Sequence, residues 1–221
     1  MIIFKSREIP ETFDEIIDPK YTVLMIYDMQ TYLCTTESGP TYTLGDYNQA
    51  QAIKNIQKLR DSAREAGVRV WYTLYTDYPE YQSISDAMLR TDLVTEKMKL
   101  PKIQHNIYGS SAWQITPELT PAPGEINILK YRIDTFIGSN FDNLLRTNGI
   151  KTIIETGRSL DIGIDATART AMLLDYFVVV PSDCVMGRNK DYMAETMRWL
   201  NRSVIVTDMN KITQSWSESG R

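Results

Sequence analysis

Short apolar runs alternate with amphipathic stretches along most of this chain. Thr22 to Tyr27 (T-V-L-M-I-Y) is almost continuously apolar, the pattern of a strand covered on both faces. Val68 to Tyr75, Glu125 to Leu129, Thr152 to Ile154, Phe177 to Val180 and Ser203 to Thr207 read as further strands. Between them the spacing turns helical. Ile53, Ile56, Leu59, Ala63 and Ala66 predict a helix over 46–66 that Gly67 ends, and two more helices are expected over 140–147 and 191–200. The focal unit runs from Lys151 to Ala171. Its β-branched run is broken at Gly157, after which Leu160, Ile162, Ile164, Ala168 and Ala171 recur at mostly helical spacing. Strand, glycine-marked turn and helix place backbone N–H groups at the carboxyl edge of a sheet, where open α/β folds bind ligands. A plain βα connection has the same pattern.

Strands alternating with helices over the whole length imply an α/β fold with a mostly parallel sheet and right-handed crossovers. No Pro/Gly/Ser-rich linker divides the chain, so residues 1–221 are expected to form one domain. Residues 1–20 read as an irregular lead-in, 31–45 as a polar loop and 208–221 as a loosely ordered tail. The proline-interrupted stretch 76–124 suits a lid or pocket wall. Its aromatics Tyr78, Tyr81, Tyr108 and Trp113 either line a pocket or simply pack.

Composition narrows the function. Of 221 residues, 43% are hydrophobic and 24% charged, an ordinary globular balance. With 28 acidic and 24 basic side chains the net charge is −4, which gives no broad basic surface for nucleic acid. No apolar run reaches membrane-spanning length and the N-terminus lacks a signal-peptide core, so no membrane partner and a cytoplasmic location are expected. Cys34 and Cys184 have no metal-like spacing, and His105 is the single histidine. A multi-histidine metal site or a Ser-His-Asp triad therefore has little material, and neither metal nor cofactor is expected. Asp28 follows the first strand and Lys130 the third, where a parallel sheet puts its chemistry; Asp28 is equally readable as a helix cap.

The ordered set of motifs resembles the isochorismatase-like hydrolase superfamily, which includes cysteine amidohydrolases and isochorismatases. The matching residues are D-M-Q at 28–30, K-Y-R-I-D-T-F at 130–136, F-I-G-S-N-F-D-N-L-L-R at 136–146, T-G-R-S-L-D-I-G-I-D-A-T-A-R-T-A at 156–171 and V-V-V-P-S-D-C-V at 178–185. The resemblance covers roughly residues 20–207. It implies a three-layer α/β/α, Rossmann-like fold with a six-stranded, mostly parallel sheet, a small-molecule substrate and a homo-oligomer. It makes Asp28 the acid/base aspartate and Lys130 its lysine. It also places a non-proline cis peptide at Arg158-Ser159 that helps shape an oxyanion site. Arg158, Ser159, Leu160, Tyr108 and Trp113 are the candidate substrate-binding residues.

One departure carries the functional question. Gly163 stands where the amidohydrolases have their nucleophilic cysteine, so the thioester route has no thiol. Isochorismatases share glycine there and hydrolyse a vinyl ether with the aspartate as acid, but they tend to have tyrosines where this chain has Ser159 and Ile133. Arg158 suits bidentate contact with a substrate carboxylate, or else solvent or a subunit interface. Asp161 reads as a charge favourable to the helix N-terminus. Three readings follow: a thiol-independent hydrolase using Asp28 and Lys130, an amide (C–N) hydrolase disabled by loss or engineered replacement of its cysteine, or a non-catalytic binding protein.

Overall fold

The apolar runs become strands because each supplies an almost unbroken row of side chains that only a doubly covered sheet can bury. A computed structural model of the chain describes residues 1–34, 49–99, 106–187 and 190–219. The lead-in has structure of its own, against expectation. An antiparallel hairpin pairs β1 (Ile2–Phe4) with β2 (Arg7–Ile9), and a one-turn helix, α1 (Phe13–Ile16), follows. A capping box between Thr12 and Glu15 starts that helix by satisfying otherwise orphaned N–H groups.

The main sheet is built from β3 (Thr22–Tyr27), β4 (Arg69–Tyr75), β5 (Ile126–Lys130), β6 (Thr152–Arg158), β7 (Phe177–Pro181), β8 (Val185–Met186) and β9 (Ile205–Thr207). Its order is β5-β4-β3-β6-β7-β9, with β8 pairing on β6, and every pairing is parallel. The seventh strand beyond the six expected is the two-residue β8, too short to leave a pattern. Strand order runs outward from β3 in one direction to β5 and in the other to β9. The reversal lies between β3 and β6, where their carboxyl ends leave a crevice.

Side-chain alternation sorts the two faces. Leu24 and Ile26 face one core with α3 (Gln49–Glu65), and Val23, Met25 and Tyr27 face the other with α5 (Phe141–Thr147) and α6 (Asp165–Leu173). Between α3 and α5 in sequence lies α4 (Asp86–Lys97), unforeseen because none of its residues is buried and its apolar periodicity is weak. Helix α2 (Thr31–Cys34) is one turn long, and α7 (Lys190–Leu200) joins the second core. The remainder of the polar loop expected over 31–45, the start of the helix expected from 46, and His105 lie outside the described residues.

The tail is also a correction. Residues expected to be loose form α8 (Met209–Ser219), which packs on the α3 face through Met209, Ile212 and Trp216. Trp216 is 3% exposed and its indole N–H donates to Ile17 O at 3.0 Å. Among the described residues no helix is long and apolar enough to cross a membrane.

Candidate active site

Beyond the end of β3 the chain turns sharply, and Asp28 takes a left-handed conformation with φ of 49°. Aspartate tolerates that region better than most residues because its short side chain bonds locally. Thr73 of the adjacent β4 meets it. The Asp28 N–H donates to Thr73 O (3.2 Å) and Oγ1 (3.1 Å), and the Thr73 hydroxyl donates to Asp28 Oδ1 at 2.7 Å. The second carboxylate oxygen, Oδ2, accepts from Lys130 Nζ at 2.6 Å. Lys130 ends β5, so the pair spans β4 at the carboxyl edge of the sheet.

Both charges are nearly out of water, with Asp28 6% and Lys130 1% exposed. Buried ions of this kind persist only when each is paired and hydrogen-bonded. The rings of Tyr27 and Tyr75 flank the ammonium, with centroids 5.8 and 5.9 Å from Nζ.

Gly163 lies against the same pair. It sits in a π-helical turn, Leu160–Ile164, that joins β6 to α6. A Cβ added to it would stand 3.1 Å from Lys130 Nζ, 3.5 Å from Ile133 O and 3.9 Å from Asp28 Oδ2. Asp28, Lys130 and Gly163, far apart in sequence, are thus brought to one point.

The residues expected around them divide. The Arg158-Ser159 peptide bond is cis. Strand β6 does not stop at Gly157 as expected but runs on to Arg158, because Gly157 takes φ +100° and lets the backbone of Tyr27 come too close for any Cβ. Arg158 therefore lands on the strand face opposite Glu155, 4% exposed, and its guanidinium donates to Leu33 O (2.7 Å) and Gln49 Oε1 (3.1 Å). The fork expected to meet solvent, an interface or a substrate is engaged by protein groups. Leu160 is fully buried in the second core, which leaves only its backbone for contact with a substrate. Ser159 O accepts from the N–H groups of Ile162 and Ile164.

Tyr108 and Trp113 do form an aromatic group, with Tyr78 and Tyr131 added to it. Trp113 and Tyr108 centroids are 4.8 Å apart, Tyr108 and Tyr78 6.0 Å, and Tyr78 and Tyr131 5.5 Å. Trp113 is held by its indole N–H on Thr76 Oγ1 (3.0 Å), and its carbonyl accepts from Gln30 Nε2 (2.8 Å). Gln30 is itself pinned to the backbone of Tyr75 by two bonds. The third residue of the D-M-Q motif thus ties the aromatic group to the strand ends that carry the charges. The Tyr78 and Tyr131 hydroxyls are 2.9 Å apart, and that bond is the first cause pushing Tyr131 up to about 12.

Neither cysteine sits in a setting that favours its thiolate. Burial pushes the Cys34 thiol up to about 12 and the Cys184 thiol higher still. Asp161 lines a separate depression of about 350 Å³ with Asp165, Tyr192 and Trp199 that shares no residue with the Asp28–Lys130 pair. Sequence reasoning missed Thr73, which orients the carboxylate, and Glu155 below the site. A polar residue inside an otherwise apolar strand run was the available signal for both.

The profile of the isochorismatase domain matches residues 22–211. Over 187 residues the chain is 30% identical to the ureidoacrylate amidohydrolase RutB of Agrobacterium fabrum, a match spanning 81% of this chain and 82% of that protein. The fold is similar to that of a cysteine hydrolase from Pseudomonas syringae pv. phaseolicola, with TM-score 0.78 and 18% identity over 92% of this chain and 96% of that one. It is also similar to an N-carbamoylsarcosine amidase from Thermoplasma acidophilum, with TM-score 0.64 and 20% identity over 85% and 96%.

Proposed function

The chain belongs to the isochorismatase family, and from that premise we propose that it hydrolyses a small metabolite by proton transfer at Asp28, without a thiol nucleophile. The observation that carries the reading is the 2.6 Å Lys130–Asp28 contact set against the Gly163 backbone. Water adds across a C–O or C–N bond of the substrate. Asp28 takes the proton from the attacking water and delivers it to the leaving oxygen or nitrogen, while Lys130 offsets charge that develops on the substrate oxygen. Tyr108 and Trp113 offer ring faces suited to a flat substrate. The protein works in the cytoplasm as a homo-oligomer, a state for which the exposed Ile2, Ile3 and Phe4 provide apolar contact surface. Light scattering that finds only monomer across working concentrations would remove that part.

The experiment is a metabolite screen by ligand-induced thermal shift, followed by turnover of the hits in wild type and Asp28→Asn. The amide keeps the shape but exchanges no proton, so turnover falls by about 10²–10⁴-fold. The ligand-induced shift, measured from each protein's own ligand-free midpoint, is retained. Unchanged turnover in Asp28→Asn sinks the reading.

A second reading is a disabled amidohydrolase. It is favoured by the place of the missing side chain, since a Cβ at Gly163 stands beside the Lys130–Asp28 pair, 3.1 Å from the ammonium and 3.9 Å from the carboxylate, and by the similarity to a ureidoacrylate amidohydrolase. On that reading wild type is inactive on amides and Gly163→Cys gains activity.

A further inference from the structure

Glu155 stands in the interior of β6, paired in register with Met25 of β3, and is fully buried. A carboxyl group in such a place is expected to have partners for both oxygens. It has one. The Tyr27 hydroxyl donates to Oε1 at 3.1 Å, and Oε2 is buried with no hydrogen-bond partner among the described residues. An ionised carboxylate would leave a charged, buried oxygen without a protein donor, whereas the acid form leaves only a neutral group unsatisfied.

The charges around it come from three directions. Lys130 on β5 favours the ionised form; Asp134, in the loop after β5, and Asp165, opening α6, oppose it. Burial outweighs all of them and holds the Glu155 carboxyl well above the usual range. Tyr27 is likewise pushed up, by burial first and by Glu155 next, so it remains a neutral donor. Tyr27 also makes the connection to the site. Its hydroxyl rests on Glu155, its ring lies 5.8 Å from Lys130 Nζ, and the next residue in the chain is Asp28.

We propose that Glu155 is a positioning residue of the Asp28 site: an uncharged carboxyl group beneath the ion pair, whose neutrality leaves Asp28 as the carboxylate that Lys130 answers. The inference rests on Asp28 and Lys130 being the acting pair. An ionised Glu155 would add a second negative charge acting on Lys130 and weaken its hold on Asp28.

The test needs no substrate. Full-length protein is labelled with ¹³C at the aspartate and glutamate carboxyl carbons, and the two resonances are assigned with Asp28→Asn and Glu155→Gln. At neutral pH the Glu155 carbon is expected at the position of the acid. As pH rises and Glu155 ionises, the Asp28 resonance moves at the same midpoint. Glu155→Gln, which keeps an acceptor oxygen for Tyr27, abolishes that inflection. A Glu155 carbon already ionised at neutral pH overturns the proposal, and this is read in wild type even if the glutamine variant does not fold. An Asp28 resonance indifferent to the ionisation of Glu155 overturns it too. So does a Glu155 that stays protonated until alkaline unfolding, which would make it a filler of the core. Failure of the hydrolase reading is separate, because turnover surviving in Asp28→Asn leaves the coupling of these resonances intact.

Discussion

Replacing Lys130 by methionine keeps the reach of the side chain and removes its charge. The Asp28 carboxylate, 6% exposed, is then left with the Thr73 hydroxyl on one oxygen and no cation on the other. Breaking a buried pair by removing one partner costs about 3–5 kcal/mol. For a chain of this length each kcal/mol moves the melting midpoint by about 2–4 °C, so Lys130→Met is expected to melt about 6–20 °C lower. Asp28→Asn strands the ammonium instead and is expected to lose a comparable amount. The double variant removes both charges. Neutral replacements of a buried pair are often stability-neutral, or stabilising by about 1–4 kcal/mol, so the double variant should recover most of what either single change loses. Urea unfolding of all four proteins at neutral pH closes the cycle. A loss below about 1 kcal/mol in Lys130→Met would mean that the charges are screened as at a surface, and the buried-pair argument would fall. A double variant as unstable as the sum of the singles would mean that the two groups do not interact, and the pairing on which the hydrolase reading rests would be refuted.

Gly163→Cys places a thiol beside the Lys130 ammonium, which favours the thiolate; it should be alkylated at neutral pH at least about tenfold faster than Cys34 or Cys184, as read by peptide mass spectrometry, and equal rates would refute the geometry. Trp216→Ala empties a fully packed position on α8 and should cost about 3–5 kcal/mol in urea unfolding, whereas a loose tail would lose almost nothing. Glu155→Gln should gain stability over wild type as pH rises. Glu155 binds its proton more tightly folded than unfolded, so its contribution is complete below the unfolded value of about 4.3 and declines above it. A wild-type minus variant difference that is flat between about pH 4 and about pH 8 would contradict that sign.

The main-sheet strands other than β8 were legible because each contains a short run of apolar and β-branched residues, and the order of the fold followed from their alternation with helical spacing. Elements without a buried stripe were not. Helix α4 buries none of its residues, so nothing in its apolar spacing distinguished it from the proline-rich segment around it. Helix α8 has the stripe, at Met209, Ile212 and Trp216, but its serines and threonine outweighed three apolar residues. At the candidate site, the convergence of Asp28, Lys130 and Gly163 was expected from strand ends and family motifs. The orientation of Arg158 was not, because it depends on β6 continuing through Gly157, and that turns on how closely Tyr27 approaches. Thr73 and Glu155 act only through register, Thr73 lying opposite Tyr27 and Glu155 opposite Met25. Register is a property of paired strands, and one strand's sequence does not contain it.

The glycine at 163 is not a vacancy beside an otherwise unchanged site. Lys130 Nζ lies 3.1 Å from where a Cβ would stand, closer than side chains ordinarily approach one, so the ammonium already occupies room that a cysteine would need. Drawn in that way, Lys130 makes its 2.6 Å contact with Asp28 Oδ2, while Thr73 fixes the other oxygen. A thiolate at this point would draw on the same ammonium and loosen the carboxylate. With glycine, the carboxylate has Lys130 as its one cation among the described residues, and on the proposed reading the group that attacks a substrate is water. That division, in which Asp28 handles the proton and Lys130 the charge, is the physical ground for preferring a thiol-independent hydrolase to an amidase that has merely lost its nucleophile.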